Sequence, residues 1–197
     1  MKKNGTKSAP PPDPGPPPSS NHVRLLQNPS MYELQFGVQR NIRYHMSRRK
    51  WYSFWANAVN ATILMAGSSA VYPVVEETGQ EYVLIMLITV AVLTTLNILF
   101  KFSTRAAIHY QLQRDFSNLD AEMTLCDDQS VEAPKPFRAK RLKIEQREPP
   151  ALWILGFLKH NELCRAIGKD NFYKVNIFQR LLSQVIDIRP DLVKPVN

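Results

Sequence analysis

The hydrophobic and polar positions divide the chain into unlike stretches. Residues 1–28 carry Pro10-Pro11-Pro12, Pro14 and Pro16-Pro17-Pro18 among Ser, Asn and Gly. They hold too few apolar side chains to offset the entropy of ordering. This predicts a disordered proline-rich tail with polyproline character, either a plain tether or a ligand for a proline-binding domain. From Ser30 the pattern turns helical. Leu34, Val38, Ile42 and Met46 recur every four residues, and Ser30 with Glu33 has the form of a capping box. An amphipathic cytosolic helix is predicted over 31–50.

The pattern then loses its charge. Residues 51–75 hold no Asp, Glu, Lys or Arg, and as a helix they extend about 37 Å, enough to cross ~30 Å of hydrocarbon. Trp51, Tyr52 and Trp55 open this stretch and Tyr72 lies near its end, where aromatic belts belong. Pro73 is placed to end or kink it. The acidic turn 76–81 follows, then a second charge-free stretch over 82–100, about 28 Å as a helix. Two such runs joined by a short turn predict a transmembrane hairpin rather than two buried core helices. Arg48, Arg49 and Lys50 precede the first span, Lys101 and Arg105 follow the second, and the turn has neither Lys nor Arg. The positive-inside rule therefore puts both chain ends in the cytosol. The first apolar run begins too far along to be a cleaved leader and is expected to be a permanent anchor.

Beyond Phe100 the helix is expected to run on without a break over 101–125. Phe102, His109, Phe116 and Met123 are spaced by seven, with Leu112 and Leu119 between them. This seam serves either a coiled coil between chains or packing on the helix of 31–50. Residues 126–136 break the pattern. Lys135, Arg138, Lys140, Arg141, Lys143 and Arg147 then cluster, as a site for anionic head groups or as a solvated linker or helix face. Pro149-Pro150 opens a further helix over 150–167, whose apolar run is too short to span a bilayer and for which Gly168 is the stop. A last amphipathic helix is placed in 172–188, before Pro190. The fold class is an all-α membrane protein: a two-helix transmembrane hairpin, a helical cytosolic stalk and C-terminal cytosolic helices, over 30–190.

Charge and chemistry refine this picture. The net charge of +8 calls for an acidic partner, and beside membrane spans that partner is anionic lipid, not nucleic acid. Arg48, Arg49, Lys50 and Arg105 are the candidate head-group contacts. Cys126 and Cys164 form no CxxC pair and are expected as reduced cytosolic thiols. No Walker loop, GxGxxG, GxSxG or HExxH occurs, so neither enzyme activity nor a cofactor is expected. His160 and Cys164, four apart, offer two metal ligands without a second pair, and a packing or capping role is the alternative. No metal site is expected. His45 and His109 fall at comparable depths on the cytosolic side of the hairpin. They read either as hydrogen-bonded histidines at a helix seam or as a pH- or ligand-sensitive cytosolic gate.

Within the spans, polar and small residues separate by face. Asn57, Asn60 and Ser68 lie on one side of the first helix, and Ala58, Thr62, Ala66 and Ala70 recur on the other, a stripe suited to close helix contact. Thr94, Asn97 and Lys101 share a face of the second. The polar set serves either interhelical hydrogen bonds or the lining of a water-filled pore. Two helices cannot enclose a pore, so a pore requires a cyclic homo-oligomer.

The order of several short segments also resembles the SLATT domains, two-transmembrane effectors of bacterial nucleotide-signalling defence systems. These segments are Tyr44-His45 with Arg48-Arg49, Gly67-Ser68-Ser69, Phe102-Ser103-Thr104-Arg105-Ala106 with His109, Leu119 and Glu122, and then Ile144-Glu145, Glu148-Pro149-Pro150 and His160-Asn161-Glu162-Leu163. The resemblance spans about residues 30–190 and implies a non-enzymatic effector of the bacterial inner membrane. Such an effector forms pores or disrupts the bilayer when a separate sensor protein triggers it, since no sensing domain is attached here. The alternative is a membrane anchor or adaptor that recruits a soluble partner through its cytosolic helices.

Overall fold

The computed structural model describes residues 29–66, 68, 80–126, 130, 132–187, 191 and 193–196. The first helix, α1 (Pro29–Ala66), is a single element of 38 residues, about 57 Å long at the usual rise. Pro29 stands in its first turn, where a missing N–H costs nothing, and Gly37 is its one glycine. The predicted boundary at residue 50 is therefore absent: the helix predicted over 31–50 and the start of the stretch predicted as a first span are continuous. The capping box is not formed as predicted either. Ser30 lies inside the helix, and its Oγ accepts a hydrogen bond from Arg138 Nη2 at 2.6 Å. Apart from Ser68, the rest of the predicted first span, with Ala70, Tyr72 and Pro73, and the turn residues 76–79 lie outside the described residues, as do residues 1–28.

Helix α2 (Gln80–Phe100) coincides with the second predicted span, and α3 (Phe102–Thr124) follows. They are not the unbroken helix predicted from the pattern. Lys101 between them takes the left-handed conformation, with φ 48° and ψ 49°. Helical hydrogen bonds nevertheless flank it, from Lys101 N to Asn97 O and from Arg105 N to Lys101 O. Read through this joint, Leu84–Thr124 is the one helix among the described residues long and apolar enough to cross a membrane. Its apolar window has a mean hydropathy of 2.1, and none of that window is buried.

The heptad seam is spent inside the chain. Phe102, Ala106, His109, Leu112, Phe116, Leu119 and Met123 are the buried residues of α3. From Leu112 to Met123 they interlock with Met31, Leu34 and Val38 of α1, joined by Ala133 and Ile144, while Ile42 packs on the edge. Polar groups tie the same pair of helices: Gln35 Nε2 donates to Asp120 Oδ1 at 3.0 Å and to Thr124 Oγ1 at 3.3 Å. A second, smaller cluster of Tyr52, Ala56, Phe102 and Ala106, with Trp51 against it, sits where α1 meets the start of α3.

The basic cluster lies on helix α4 (Pro134–Glu145) and just past it. Most of its charges have partners: Lys140 with Glu122, Arg141 with Glu145, Arg147 with Asp115, Lys135 with Glu132, and Arg138 with Ser30. Helix α5 (Trp153–Ala166) is as predicted, somewhat shortened. Asp187 caps its start in trans, accepting from the backbone N–H groups of Trp153 at 2.8 Å and Ile154 at 3.0 Å, where a helix N-terminus leaves unpaired donors and favours negative charge. At its end Gly168 takes φ 70°. Lys169 N bonds to Cys164 O and Gly168 N to Arg165 O, the pairing of a Schellman motif. The last predicted helix shrinks to α6 (Ile177–Leu182). Before it, β1 (Phe172–Tyr173) pairs antiparallel with β2 (Pro195–Val196). Asn161 of α5 holds this segment by gripping the Tyr173 backbone at both ends, at 2.7 Å each.

Candidate functional site

The most densely tied polar group sits between α1 and α3. The periodicity that buries Tyr44, His45, Arg48 and Tyr52 of α1 meets the seam position His109 of α3. The two imidazoles contact Nδ1 to Nδ1 at 2.9 Å, and both are almost wholly buried. Since one proton lies between these nitrogens, either ring can be the donor. On its other side, His45 Nε2 lies 3.2 Å from Glu148 Oε1, and this carboxylate can only accept. Glu148, His45 and His109 thus form a relay across three segments. Phe116 stacks on His45 with centroids 5.6 Å apart, and Tyr52 stacks on His109, also at 5.6 Å. Burial, then His45, then the charges of Arg48 and Arg105, pull the His109 pKa down to about 3, so His109 is neutral at physiological pH. Burial pushes the Tyr44 phenol up, and its hydroxyl accepts from Leu152 N at 2.9 Å. This anchors the start of α5 to α1.

The four basic residues expected at lipid head groups separate. Arg48 and Arg105 converge on Tyr52: Arg48 Nη2 donates to its Oη at 2.5 Å and Arg105 Nη1 at 3.2 Å. Arg48 Nη1 also donates to the Gln184 carbonyl, and its guanidinium carbon lies 4.6 Å from the Tyr52 ring centroid. Arg49 instead stands over Tyr110 at 5.3 Å, and Lys50 is exposed. A cavity of about 480 Å³ opens beside the Arg48–Tyr52–Arg105 group and reaches His109.

The six expected pore-facing residues do not share one face of the chain. Asn57, Asn60 and Ser68 are exposed. Thr94 and Asn97 are half-buried, in phase with Met86, Val90 and Leu93 on α2, which contacts α1. Lys101 is exposed at the joint. Of the expected helix-contact stripe, Ala58, Thr62 and Ala66 are half-buried, while the deepest positions on this part of α1 are Ala56 and Val59. Ile63 is half-buried too, and Leu64 is the outward residue there, 76% exposed.

His160 Nε2 lies 3.0 Å from the Asn171 carbonyl and 3.4 Å from Cys164 Sγ, a local packing arrangement. Among the described residues no group of three or more His, Cys, Asp or Glu side chains converges as metal ligands.

Sequence reasoning placed the two histidines but missed their partners. Glu148 is 103 residues from His45, Gln184 is 136 from Arg48, and no periodicity links such distant positions. Tyr52 carried a signal only as an interfacial aromatic. Compared with family models, curated proteins and solved structures, the chain matches none.

Proposed function

We propose that this chain is a non-enzymatic membrane effector of the bacterial inner membrane. In this reading it crosses the bilayer as a two-helix hairpin with both ends cytosolic, and assembles with copies of itself into a pore or a bilayer-disrupting complex. The observation that carries the reading is the state of the apolar halves of α1 and α2. Around α2, Leu84, Ile85, Leu87, Ile88, Val92, Ile98 and Leu99 are all exposed, and on α1 Phe54, Leu64 and Met65 are exposed beside Asn57 and Asn60. Side chains of this kind find their solvent in lipid. Carboxamides at the same depth do not, since an unpaired amide in hydrocarbon costs several kcal/mol. A second copy, or a water path between copies, satisfies them. The resemblance to SLATT domains points the same way, with a separate sensor protein as trigger.

The test is conductance in planar bilayers together with depolarisation of overexpressing cells. Wild-type protein is expected to conduct. Asn57→Leu with Asn60→Leu should insert at least as well, because α1 becomes more apolar, yet conduct little, because a narrow apolar constriction dewets. Normal conductance in that variant would move the water path away from these residues. Wild-type protein that assembles but neither conducts nor depolarises would replace the effector by the adaptor.

A further inference from the structure

Arg48 and Arg105 are held against one phenol by different helices, and neither guanidinium meets a carboxylate among the described residues. Two like charges thus share a single neutral oxygen. Arg48 is only 8% exposed, and its Nε has no hydrogen-bond partner. Its other contacts are the Gln184 carbonyl and the ring faces of Trp51 and Tyr52. A buried cation left without a counter-ion is costly, and the exposed Arg105 beside it adds a second positive charge. An anion between them removes both penalties.

The space for that anion is there. The cavity of about 480 Å³ is lined by both arginines, Tyr52 and His109, and by no Asp or Glu among the described residues. Its size is that of an ordinary small-ligand site. His109 brings no competing charge, because burial and the same two arginines keep it neutral. The Tyr52 oxygen accepts from both guanidiniums, which leaves its O–H free to donate. Apart from Gln184, the rest of the lining is apolar, and Phe100, Ile108 and Val185 in it are exposed, Val185 by 63%. Phe100 is the last residue of the charge-free stretch 82–100, so the cavity opens where that stretch would leave the bilayer.

We propose that this cavity binds the phosphate of an anionic phospholipid head group, clasped by Arg48 and Arg105 with the Tyr52 hydroxyl donating to it, while the apolar rim runs beside the acyl chains. Guanidinium forks match phosphate oxygens in geometry and charge. The lipid source rests on the membrane reading above. The phosphate chemistry does not, and a soluble phosphate ester would be held by the same groups.

The experiment uses the full chain in a nonionic detergent, titrated with short-chain phosphatidylglycerol, short-chain phosphatidylcholine or sodium phosphate. Binding is read by calorimetry and by the histidine NMR signals. Phosphatidylglycerol is expected to bind, with zwitterionic phosphatidylcholine weaker. Arg105→Gln should weaken phosphatidylglycerol binding about tenfold, the loss of one charge-assisted partner. Arg105→Lys should recover part of this, and Lys50→Gln should change nothing. Bound phosphate should also raise the His109 pKa by offsetting both arginines, a shift that a purely structural Arg105 would not produce. Arg105 is the exposed member of the pair, so the Gln variant keeps the buried Arg48 in place. Arg105-dependent binding of sodium phosphate would uphold the anion site, and would do so even if the chain failed to insert into bilayers and the membrane reading fell. Folded wild-type protein that binds neither phosphatidylglycerol nor phosphate overturns the proposal, as do equal losses in Arg105→Gln and Lys50→Gln.

Discussion

The two ends of α1 are covered very differently. Toward its N-terminus its apolar side chains form a stripe: Met31, Leu34 and Val38 are buried against α3, Glu33 is exposed, and Gln35 is tied to Asp120. Past Trp51 the same helix carries no charge, Asn57 and Asn60 are its exposed amides, and only Tyr52, Ala56 and Val59 are buried. Tyr52 and Ala56 still pack on the start of α3, and the helix also contacts α2, whose apolar window is entirely unburied. A stripe suffices where water wets the opposite face. A helix apolar on every side calls for a surrounding that is apolar on every side. The changeover falls at Arg48–Tyr52, where the guanidiniums, the histidine pair and the aromatic belt lie together.

The sharpest way to break this contrast is to shorten one large side chain in each region. Phe116 has 0% exposure and stacks on His45. Phe116→Ala should cost about 3–5 kcal/mol, transfer and cavity terms together. Leu64, 76% exposed, already contacts detergent, and Leu64→Ala should change stability by no more than about 0.5 kcal/mol. Denaturant unfolding in detergent measures both. A comparable loss at Leu64 would mean that this residue packs against protein, and the two ends of α1 would no longer differ.

The next effect depends on pH and belongs to the seam between α1 and α3. The His109 pKa is about 3 in the folded chain against a reference of 6.5. Between these values the unfolded chain binds a proton that the folded chain does not. Stability from this group is therefore fully present above about pH 6.5 and is lost as pH falls toward 3. The slope approaches about 1.4 kcal/mol per pH unit for one such site. Unfolding midpoints measured from pH 7 to 4 should fall along this line in wild type and more shallowly in His109→Gln. Parallel curves for the two proteins would show that His109 is not the group held neutral.

These regions were not equally legible in the sequence. Phe102, His109, Phe116 and Met123 announced their common face because core positions on a helix repeat with its period. The depth of His45 and His109 followed from counting outward from the two charge-free stretches. Gly168 was readable because left-handed stops favour glycine. By contrast, Glu148 on His45 and Asp187 on the start of α5 are contacts between segments far apart in the chain, which no local pattern encodes. Residues 172–188 were apolar enough for a helix. Yet Asn161 holds the Tyr173 backbone extended, and only Ile177–Leu182 remain helical. The six polar residues of the predicted spans were sorted by helical angle alone, which does not reveal that Thr94 and Asn97 are half-buried while Asn57, Asn60, Ser68 and Lys101 are exposed.

The smallest predicted effect tests the joint between the regions. Lys101 is left-handed, which costs an L-residue roughly 1–2 kcal/mol, and nothing in its sequence neighbourhood marks it. Without that break, α3 would continue the rotation of α2, and Thr94, Asn97 and Lys101 would share one face as the pattern alone implies. With it, Phe102 and Ala106 are turned into the cluster with Tyr52 and Ala56. Lys101→Gly removes the left-handed cost but adds glycine's own entropy cost of about 0.5–1 kcal/mol. The net change should lie between zero and about 1.5 kcal/mol of stabilisation. Lys101→Asn should be close to neutral or slightly stabilising, since Asn tolerates this conformation better than Lys. Ser103→Gly, two residues on in ordinary helix, should destabilise by a few tenths of a kcal/mol. Opposite signs for Lys101→Gly and Ser103→Gly, read as unfolding midpoints in one detergent, place the break at Lys101. A loss at Lys101 equal to that at Ser103 would mean that the helix runs straight through, and that α2 and α3 form one rigid rod rather than meeting at a joint.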